Sequence, residues 1–390
     1  MTEAYLCAAR RTAIGRYGGS LSGVRPDDLA ARVIDGLLDL HDLPVDEVIF
    51  GCANQAGEDN RNVARMAVLL SRLGEHTPAF TVNRLCASGL DAIITAARTI
   101  RDGAADVIIA GGVESMSRAP FVLPKAETAF ARTPQIYDTT LGWRFVHDQI
   151  AARYGVESMP ETAENVAAAY GILRADQDAY ALRSQQRYAP DWHAADILPV
   201  TLPGKAATIV RTDEHPRATS LEQLARLTTP FRVNGTVTAG NASGVNDGAA
   251  AVILASARAI KLHGLIPLAR VGAASSAGVA PRMMGAGPIA AVQNLTARSG
   301  LRMQDFDVIE LNEAFAAQVL ACTRAWGLAD DAAHVNSFGG GISMGHPLGA
   351  SGARIAGAAA RRLFETGGKL ALVSLCVGVG QGVALALHAP

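Results

Sequence analysis

Apolar and polar positions along the chain switch repeatedly between a period of two and a period of 3.6, the marks of strands and helices. Residues 4–14 read as a strand, 26–39 as a helix, 47–51 as a strand and 62–73 as a helix. Ala79-Phe80-Thr81-Val82 reads as a short buried strand, Leu90 to Arg101 as a helix rich in Ala and Ile. Asp106 to Ala110 is a further strand that runs into Gly111-Gly112. Strands alternating with helices predict an α/β protein whose parallel-rich sheet is covered on both faces.

The texture changes after Ser117. Residues 118–160 carry prolines, isolated aromatics and no sustained period, the pattern of an excursion from the sheet. Pro160-Glu161 then opens a helix, since Pro suits a first turn and acids there complement the dipole. Ala175 to Tyr188 continues as a second amphipathic helix. The sheet pattern resumes from Gly235 and leads into Ala251-Val252-Ile253-Leu254-Ala255. The expectation is an inserted loop domain over 118–230. One half of the core is then 1–117 plus 231–264, and the other is 265–390.

The last third repeats the first. Ala87-Ser88-Gly89 recurs as Ala350-Ser351-Gly352, and Ala96-Ala97-Arg98 recurs at the same spacing as Ala359-Ala360-Arg361. Glu47-Val48-Ile49 is similar to Asp307-Val308-Ile309, and Val82-Asn83 to Val335-Asn336. Extra residues enter between Asn336 and Ala350, and they hold glycine-rich turns and His346. Two similar halves related by duplication are the expected architecture, and the join between them is a natural place for a site.

Composition narrows the partners. Of 390 residues, 49% are hydrophobic and 18% charged, and the formal net charge is −1. There is no basic run of the kind that binds nucleic acid or a membrane surface. The N-terminus has no signal-like apolar segment and no stretch is long enough to span a bilayer, so a cytoplasmic location is expected. Five widely spaced cysteines without a C-x-x-C suggest neither a disulfide framework nor a metal site.

Candidate chemistry sits at strand ends. Cys86 lies on a strand-to-helix turn crowded with Ala87, Ser88 and Gly89. A helix N-terminus presents free N–H groups and a positive dipole end, which favours thiolate, the nucleophilic form. His346 stands between Gly345 and Pro347 on a rigid turn, where an imidazole can take a proton from a nearby thiol. Cys376 precedes Gly378 and Gly380, whose backbone N–H groups can form an anion-binding nest.

Taken together, these motifs resemble the thiolases, the acyl-CoA:acetyl-CoA acyltransferases, along nearly the whole chain. The matching stretches are Asn83–Asp91, Gly235–Gly244, Asn312-Glu313-Ala314-Phe315-Ala316, Gly345–Gly352 and Cys376–Gly382. The resemblance implies a five-layer αβαβα fold of two duplicated halves with an inserted loop domain. It implies that Cys86 is acylated, that His346 activates it and that Cys376 is a second acid/base. It further implies that Asn312 holds a water in one oxyanion hole beside His346, and that backbone N–H groups of Cys86 and Gly378 form the other. Coenzyme A would be a co-substrate rather than a bound cofactor, with its pantetheine against Ala239 and Ser243 and with Met159, Phe231 and Phe315 nearby. Acyl-CoA and CoA are the implied partners, and a homodimer or homotetramer is the implied assembly.

Gly51–Arg65, Asp138–Val146 and Asp213–Arg217 are similar to one subfamily, the β-ketoadipyl-CoA thiolases of aromatic catabolism. That subfamily implies 3-oxoadipyl-CoA as substrate, with a general acetyl-CoA acetyltransferase as the alternative. The acyl tail would end in a carboxylate, which must meet a cation or water, and Arg144 is a candidate for that cation. Gly341-Ile342-Ser343-Met344 and Ala87 depart from the commoner family pattern. A ketoacyl-synthase-type condensing enzyme typically lacks a cysteine at the place of Cys376, and intact Cys86, His346 and Cys376 argue against a non-catalytic acyl-CoA-binding protein.

Overall fold

The structure, a computed structural model, describes residues 2–202 and 208–390. The first half supplies β1 (Ala4–Thr12), α1 (Pro26–Leu38), β2 (Glu47–Gly51), α2 (Val63–Leu70), β3 (Ala79–Val82), α3 (Ser88–Asp102) and β4 (Val107–Ser115). A long excursion follows, carrying α4 (Met159–Tyr170) and α5 (Arg174–Arg187), before the chain returns to the sheet as β5 (Asn246–Ser256). The second half supplies β6 (Ala269–Gly278), α6 (Gly287–Ser299), β7 (Val308–Leu311), α7 (Ala316–Ala325), α8 (Leu348–Thr366), β8 (Leu370–Val377) and β9 (Gln381–His388).

The strands lie side by side in the order β7-β8-β9-β6-β1-β5-β4-β2-β3. Outward from the β6–β1 seam, the halves repeat one another. β1 pairs antiparallel with β5 and β5 with β4, while β4 and β2 are parallel. In the second half β6 pairs antiparallel with β9 and β9 with β8, while β8 and β7 are parallel. Even β3, parallel to β2, has a remnant counterpart in the parallel bridge from Ile309 to Val335.

Packing sorts the elements into five layers. One apolar cluster joins α3 and α8 to strands of both halves, through Leu90, Ile93, Ile355, Leu363, Val252 and Val373. A second buries α1 and α2 on the other side of the first half-sheet. A third buries α6 and α7 on the far side of the second. The order is therefore helices, half-sheet, the α3/α8 pair, half-sheet, helices. This arrangement follows from strands apolar on both faces: all nine residues of β4 and all eleven of β5 are buried.

β4 runs five residues beyond the expected end at Ala110, with Gly111 and Gly112 inside it. The reason is the central helix pair. A Cβ on Gly112 would collide with the Gly349 carbonyl at the start of α8, so glycine there admits the neighbouring layer rather than ending the strand. The excursion shares its core with the second half. Ala167 of α4 and Tyr180 and Ala181 of α5 lie in the cluster that holds α6 and α7. Ile197-Leu198 adds a short parallel pairing to β1. Among the described residues no helix is long and apolar enough to cross a membrane.

The α3/α8 contact depends on missing side chains. A Cβ on Gly89 would lie 2.5 Å from the Gly349 carbonyl oxygen, and one on Gly352 would overlap the backbone nitrogen of Leu90. Gly352→Ala is therefore expected to destabilise by about 1–3 kcal/mol through overpacking. Gly23→Ala, where a new methyl meets open space, should leave the midpoint almost unmoved. Equal thermal midpoints for the two variants would contradict this account of the contact.

Candidate active site

The turn that carries Cys86 is built by its neighbours. Asn83 Oδ1 accepts the Leu85 N–H at 2.9 Å. Ser88 Oγ accepts the Arg84 N–H at 2.8 Å and donates to the Leu85 carbonyl at 2.7 Å. Leu85 is held at φ +46°, a left-handed conformation that costs a branched apolar residue about 1–2 kcal/mol. The Asn83 and Ser88 bonds offset that cost. A single 3₁₀ turn, Leu85–Ala87, then hands the chain to α3.

The second half presents an imidazole at the corresponding corner. Gly345 has φ +106°, and a Cβ there would lie 2.5 Å from the Asn246 side-chain amide. Asn246 Oδ1 accepts the His346 N–H at 2.9 Å, while its Nδ2 donates to the Gly15 carbonyl at 2.9 Å. The His346 Nδ1 lies 2.6 Å from Ser351 Oγ, and that hydroxyl donates to the Pro347 carbonyl at 2.9 Å. Its Nε2 lies 3.3 Å from Asn312 Nδ2. One tautomer satisfies all three contacts: Nδ1–H donates to Ser351, and Nε2 carries the lone pair. Ser351 repeats Ser88 of the first half, so the duplicated serine supports the cysteine turn in one copy and the histidine in the other.

Asn312 is fixed by its backbone N–H, which donates to the Ser374 carbonyl at 3.0 Å. Its Oδ1 is buried and has no partner among the described residues, an acceptor left for water or substrate. The adjoining Glu313 braces the glycine-rich loop. Its carboxylate accepts from Tyr180 Oη at 2.8 Å, Ser184 Oγ at 2.6 Å, Asn336 Nδ2 at 3.0 Å and the Ile342 N–H at 3.1 Å.

Cys376, 1% exposed, lies one residue before the end of β8, opposite Gly382. Two residues on, the Gly378 N–H faces the Cys86 sulfur. Burial disfavours the charged forms of its thiols and of its imidazole. Burial pushes the Cys86 thiol up to about 11, with the Glu114 carboxylate adding to the rise; the N–H groups of Gly378 and Cys86 itself act the other way. Burial, with Cys86 and Cys322 beside it, holds Cys376 well above the ordinary thiol range. Burial and the nearby Arg354 guanidinium push His346 down to about 3. At Cys86 desolvation of the thiolate outweighs the N–H groups that favour it, so the helix N-terminus alone does not lower this thiol. A neutral imidazole beside protonated thiols can instead accept a proton as a bond forms.

Cys86 opens onto a cavity of about 380 Å³. Gly378, Met159, Arg144, Trp143, Glu114 and Leu348 are among its walls. His346, Cys376 and Asn312 are buried and are not among its walls; Leu348 and Gly378, each two residues from His346 and Cys376 respectively, are. Of the residues expected to meet pantetheine, Met159 and Phe315 share an apolar cluster with Cys376. Ser243 is tied to that cluster by its N–H to the Ala314 carbonyl at 2.9 Å. Ala239 is exposed with its carbonyl bonded to Arg217, and Phe231 is exposed on the surface. Neither lines the cavity.

Glu114 escapes a reading of the sequence. Buried on the cavity wall, it accepts the N–H groups of Ala53 and Asn54 at 2.9 Å and of Gly349 at 2.8 Å, so one carboxylate ties both halves together. Burial pushes it up to about 7. The only signal is its place, two residues past the Gly-Gly pair in β4.

The family models for the thiolase N-terminal domain and the thiolase C-terminal domain match residues 4–258 and 265–389. The chain belongs to the thiolase family. It is 57% identical to the β-ketoadipyl-CoA thiolase of Pseudomonas putida, with all of both chains covered. It is 56% identical, again over all of both chains, to the 3-oxoadipyl-CoA/3-oxo-5,6-dehydrosuberyl-CoA thiolase of Escherichia coli K12. The crystal structure of human mitochondrial 3-ketoacyl-CoA thiolase in complex with CoA superposes with a TM-score of 0.92 at 38% identity, covering 100% of this chain and 98% of that one. This thiolase is therefore an acyltransferase, with the five-layer fold that its motifs imply.

The raised Cys86 thiol has a measurable consequence. A thiol raised to about 11 is largely protonated at neutral pH, and each unit of pH below its pKa lowers the thiolate fraction tenfold. Iodoacetamide alkylation of Cys86, followed on its own peptide by mass spectrometry, should accelerate continuously from pH 6 to pH 10. A plateau already reached at pH 6–7 would reveal a resting thiolate–imidazolium pair and contradict the assignment.

Proposed function

We propose that this thiolase cleaves 3-oxoadipyl-CoA with CoA to succinyl-CoA and acetyl-CoA. His346 Nε2 takes the Cys86 proton as the sulfur attacks the 3-keto carbon. Cleavage of the C2–C3 bond leaves succinyl on Cys86 and an acetyl-CoA carbanion, which takes its proton from Cys376. The CoA thiol then gives a proton to the Cys376 thiolate and attacks the acyl-cysteine. Collapse releases succinyl-CoA, and the departing Cys86 sulfur recovers its proton from His346. Atoms and charge return to the starting state.

Charge on the oxygens is stabilised twice. Asn312, through a water, and His346 serve one oxyanion; the N–H groups of Cys86 and Gly378 serve the other. The observation that carries this reading is the Gly378 N–H facing the Cys86 sulfur, with Cys376 two residues upstream. Protonated thiols support it as well, since Cys376 then holds the proton that the carbanion needs. CoA enters as co-substrate, its pantetheine passing Met159, Phe315 and Ser243, with Ala239 and Phe231 at the outer end. The substrate itself is supported by two relatives above 55% identity whose names carry it.

The excursion over 118–230 serves as the substrate-facing unit between the halves 1–117 plus 231–264 and 265–390. Assembly as a homodimer or homotetramer is supported by β3, which ends the sheet with no further strand paired beyond it among the described residues. It is supported too by exposed Phe121 and Phe130 in the excursion. Purified protein with CoA should consume 3-oxoadipyl-CoA faster than acetoacetyl-CoA, and Cys86→Ala should lose nearly all turnover. Efficient cleavage of acetoacetyl-CoA with none of 3-oxoadipyl-CoA would point instead to a general acetyl-CoA acetyltransferase.

A further inference from the structure

The cavity beside Cys86 is walled largely by apolar groups, and most of its polar groups are already engaged. Asn54 Nδ2 donates to Thr139 Oγ1 at 3.0 Å, and that hydroxyl donates to the Pro120 carbonyl at 2.7 Å. Ser158 Oγ bonds Glu161 at 2.8 Å, and Glu157 pairs with Arg282 at 2.8 Å. The Trp143 N–H reaches the Glu157 carbonyl at 3.4 Å. Glu114 accepts three backbone N–H groups and the Cys52 thiol.

Arg144 is the exception. It lines the same cavity and is half-buried. Among the described residues no carboxylate lies within ion-pair distance of it, and its guanidinium makes no hydrogen bond. Most of the arginines close to this region are paired, as Arg84 with Asp91, Arg118 with Glu58 and Arg282 with Glu157. A half-dry guanidinium without a counter-ion is costly, and its planar fork matches a carboxylate in two-point geometry. Nothing in the fold compels Arg144 to face this cavity: it sits outside helix and strand, in a loop with solvent on its other side.

We propose that Arg144 binds the terminal carboxylate of the acyl chain, making this cavity a subsite for short 3-oxoacyl thioesters that end in a carboxylate. The inference rests on the reading of the site as that of a 3-oxoadipyl-CoA thiolase, and it names the residue that sets the preference. The apolar walls receive the methylenes between the thioester carbon at Cys86 and the charged end. An uncharged tail of the same length leaves the cation in a cavity filled with hydrocarbon, so discrimination comes from both the pairing and its absence.

The test compares 3-oxoadipyl-CoA with 3-oxohexanoyl-CoA, which carries a methyl in place of the carboxylate. For the wild type, kcat/KM should favour the carboxylate substrate. In Arg144→Gln the ratio of the two kcat/KM values should fall by about 10- to 100-fold, the scale of one charged hydrogen-bonding contact. Arg144→Lys keeps the charge but not the two-point fork and should retain part of the preference. A wild type with no preference for the carboxylate would overturn the substrate reading of the preceding section. A wild type with the preference, and Arg144→Gln keeping it unchanged, would overturn the role given to Arg144. A Lys variant as indifferent as the Gln variant would assign the effect to packing rather than charge, and would overturn it too.

Discussion

Two helix N-termini meet without side chains between them, and the rest of the molecule is arranged around that contact. Gly89 at the start of α3 faces the backbone of Gly349 and Ala353, while Gly352 of α8 faces Leu90. Gly112 in β4 leaves room for the same Gly349 carbonyl. Methyl groups at these points would force the central layer apart by more than the packed core on either side can absorb. Because Cys86 and the His346–Leu348 turn immediately precede these two helices, bringing the helices together also sets Cys86 and Leu348 on one cavity. Glu114 closes the contact by bonding N–H groups from both sides.

That closeness sets the electrostatics. Backbone packed against backbone excludes water, and exclusion of water penalises every charged form: the thiols rise, the imidazole falls and the buried carboxylate rises. Burial thus favours a proton on both thiols before reaction. Charge appears only during reaction, at positions where N–H groups and the Asn312 amide are already oriented, so little reorganisation is needed when it does. Duplication supplied the scaffold twice, and each copy put a different side chain on it.

Much of this was legible in the sequence, for physical reasons. The repeat of Ala-Ser-Gly at the start of both central helices survives because small residues are obligatory there. Cys86, His346 and Cys376 stand in motifs whose neighbouring glycines and prolines shape the backbone, and Asn312 in the Asn-Glu-Ala-Phe-Ala motif. Other features have no local signature. Gly111-Gly112 reads as a strand's end, and only the layer packed against it explains why the strand continues. Glu114 is one acid among many until its three N–H donors, from sequence-distant loops, are seen. The helix position of Cys86 gives the N–H groups that favour its thiolate, but not the opposing burial, which is a property of the whole fold. Arg144 stands in a stretch that marks it as a candidate cation, but its place on the cavity wall and its lack of a partner among the described residues exist only in three dimensions. Ala239 and Phe231 carry the family pattern, yet their exposure separates them from the cavity itself.

The most direct measurement of the central claim is the covalent state of the enzyme when the second thiol substrate is withheld. Rapid acid quench after mixing with 3-oxoadipyl-CoA alone, followed by peptide mass spectrometry, should find a succinyl thioester on the peptide holding Cys86, matched by released acetyl-CoA. A modification found on Cys376 instead, or acetyl-CoA released with no acyl group on either cysteine, would contradict the account.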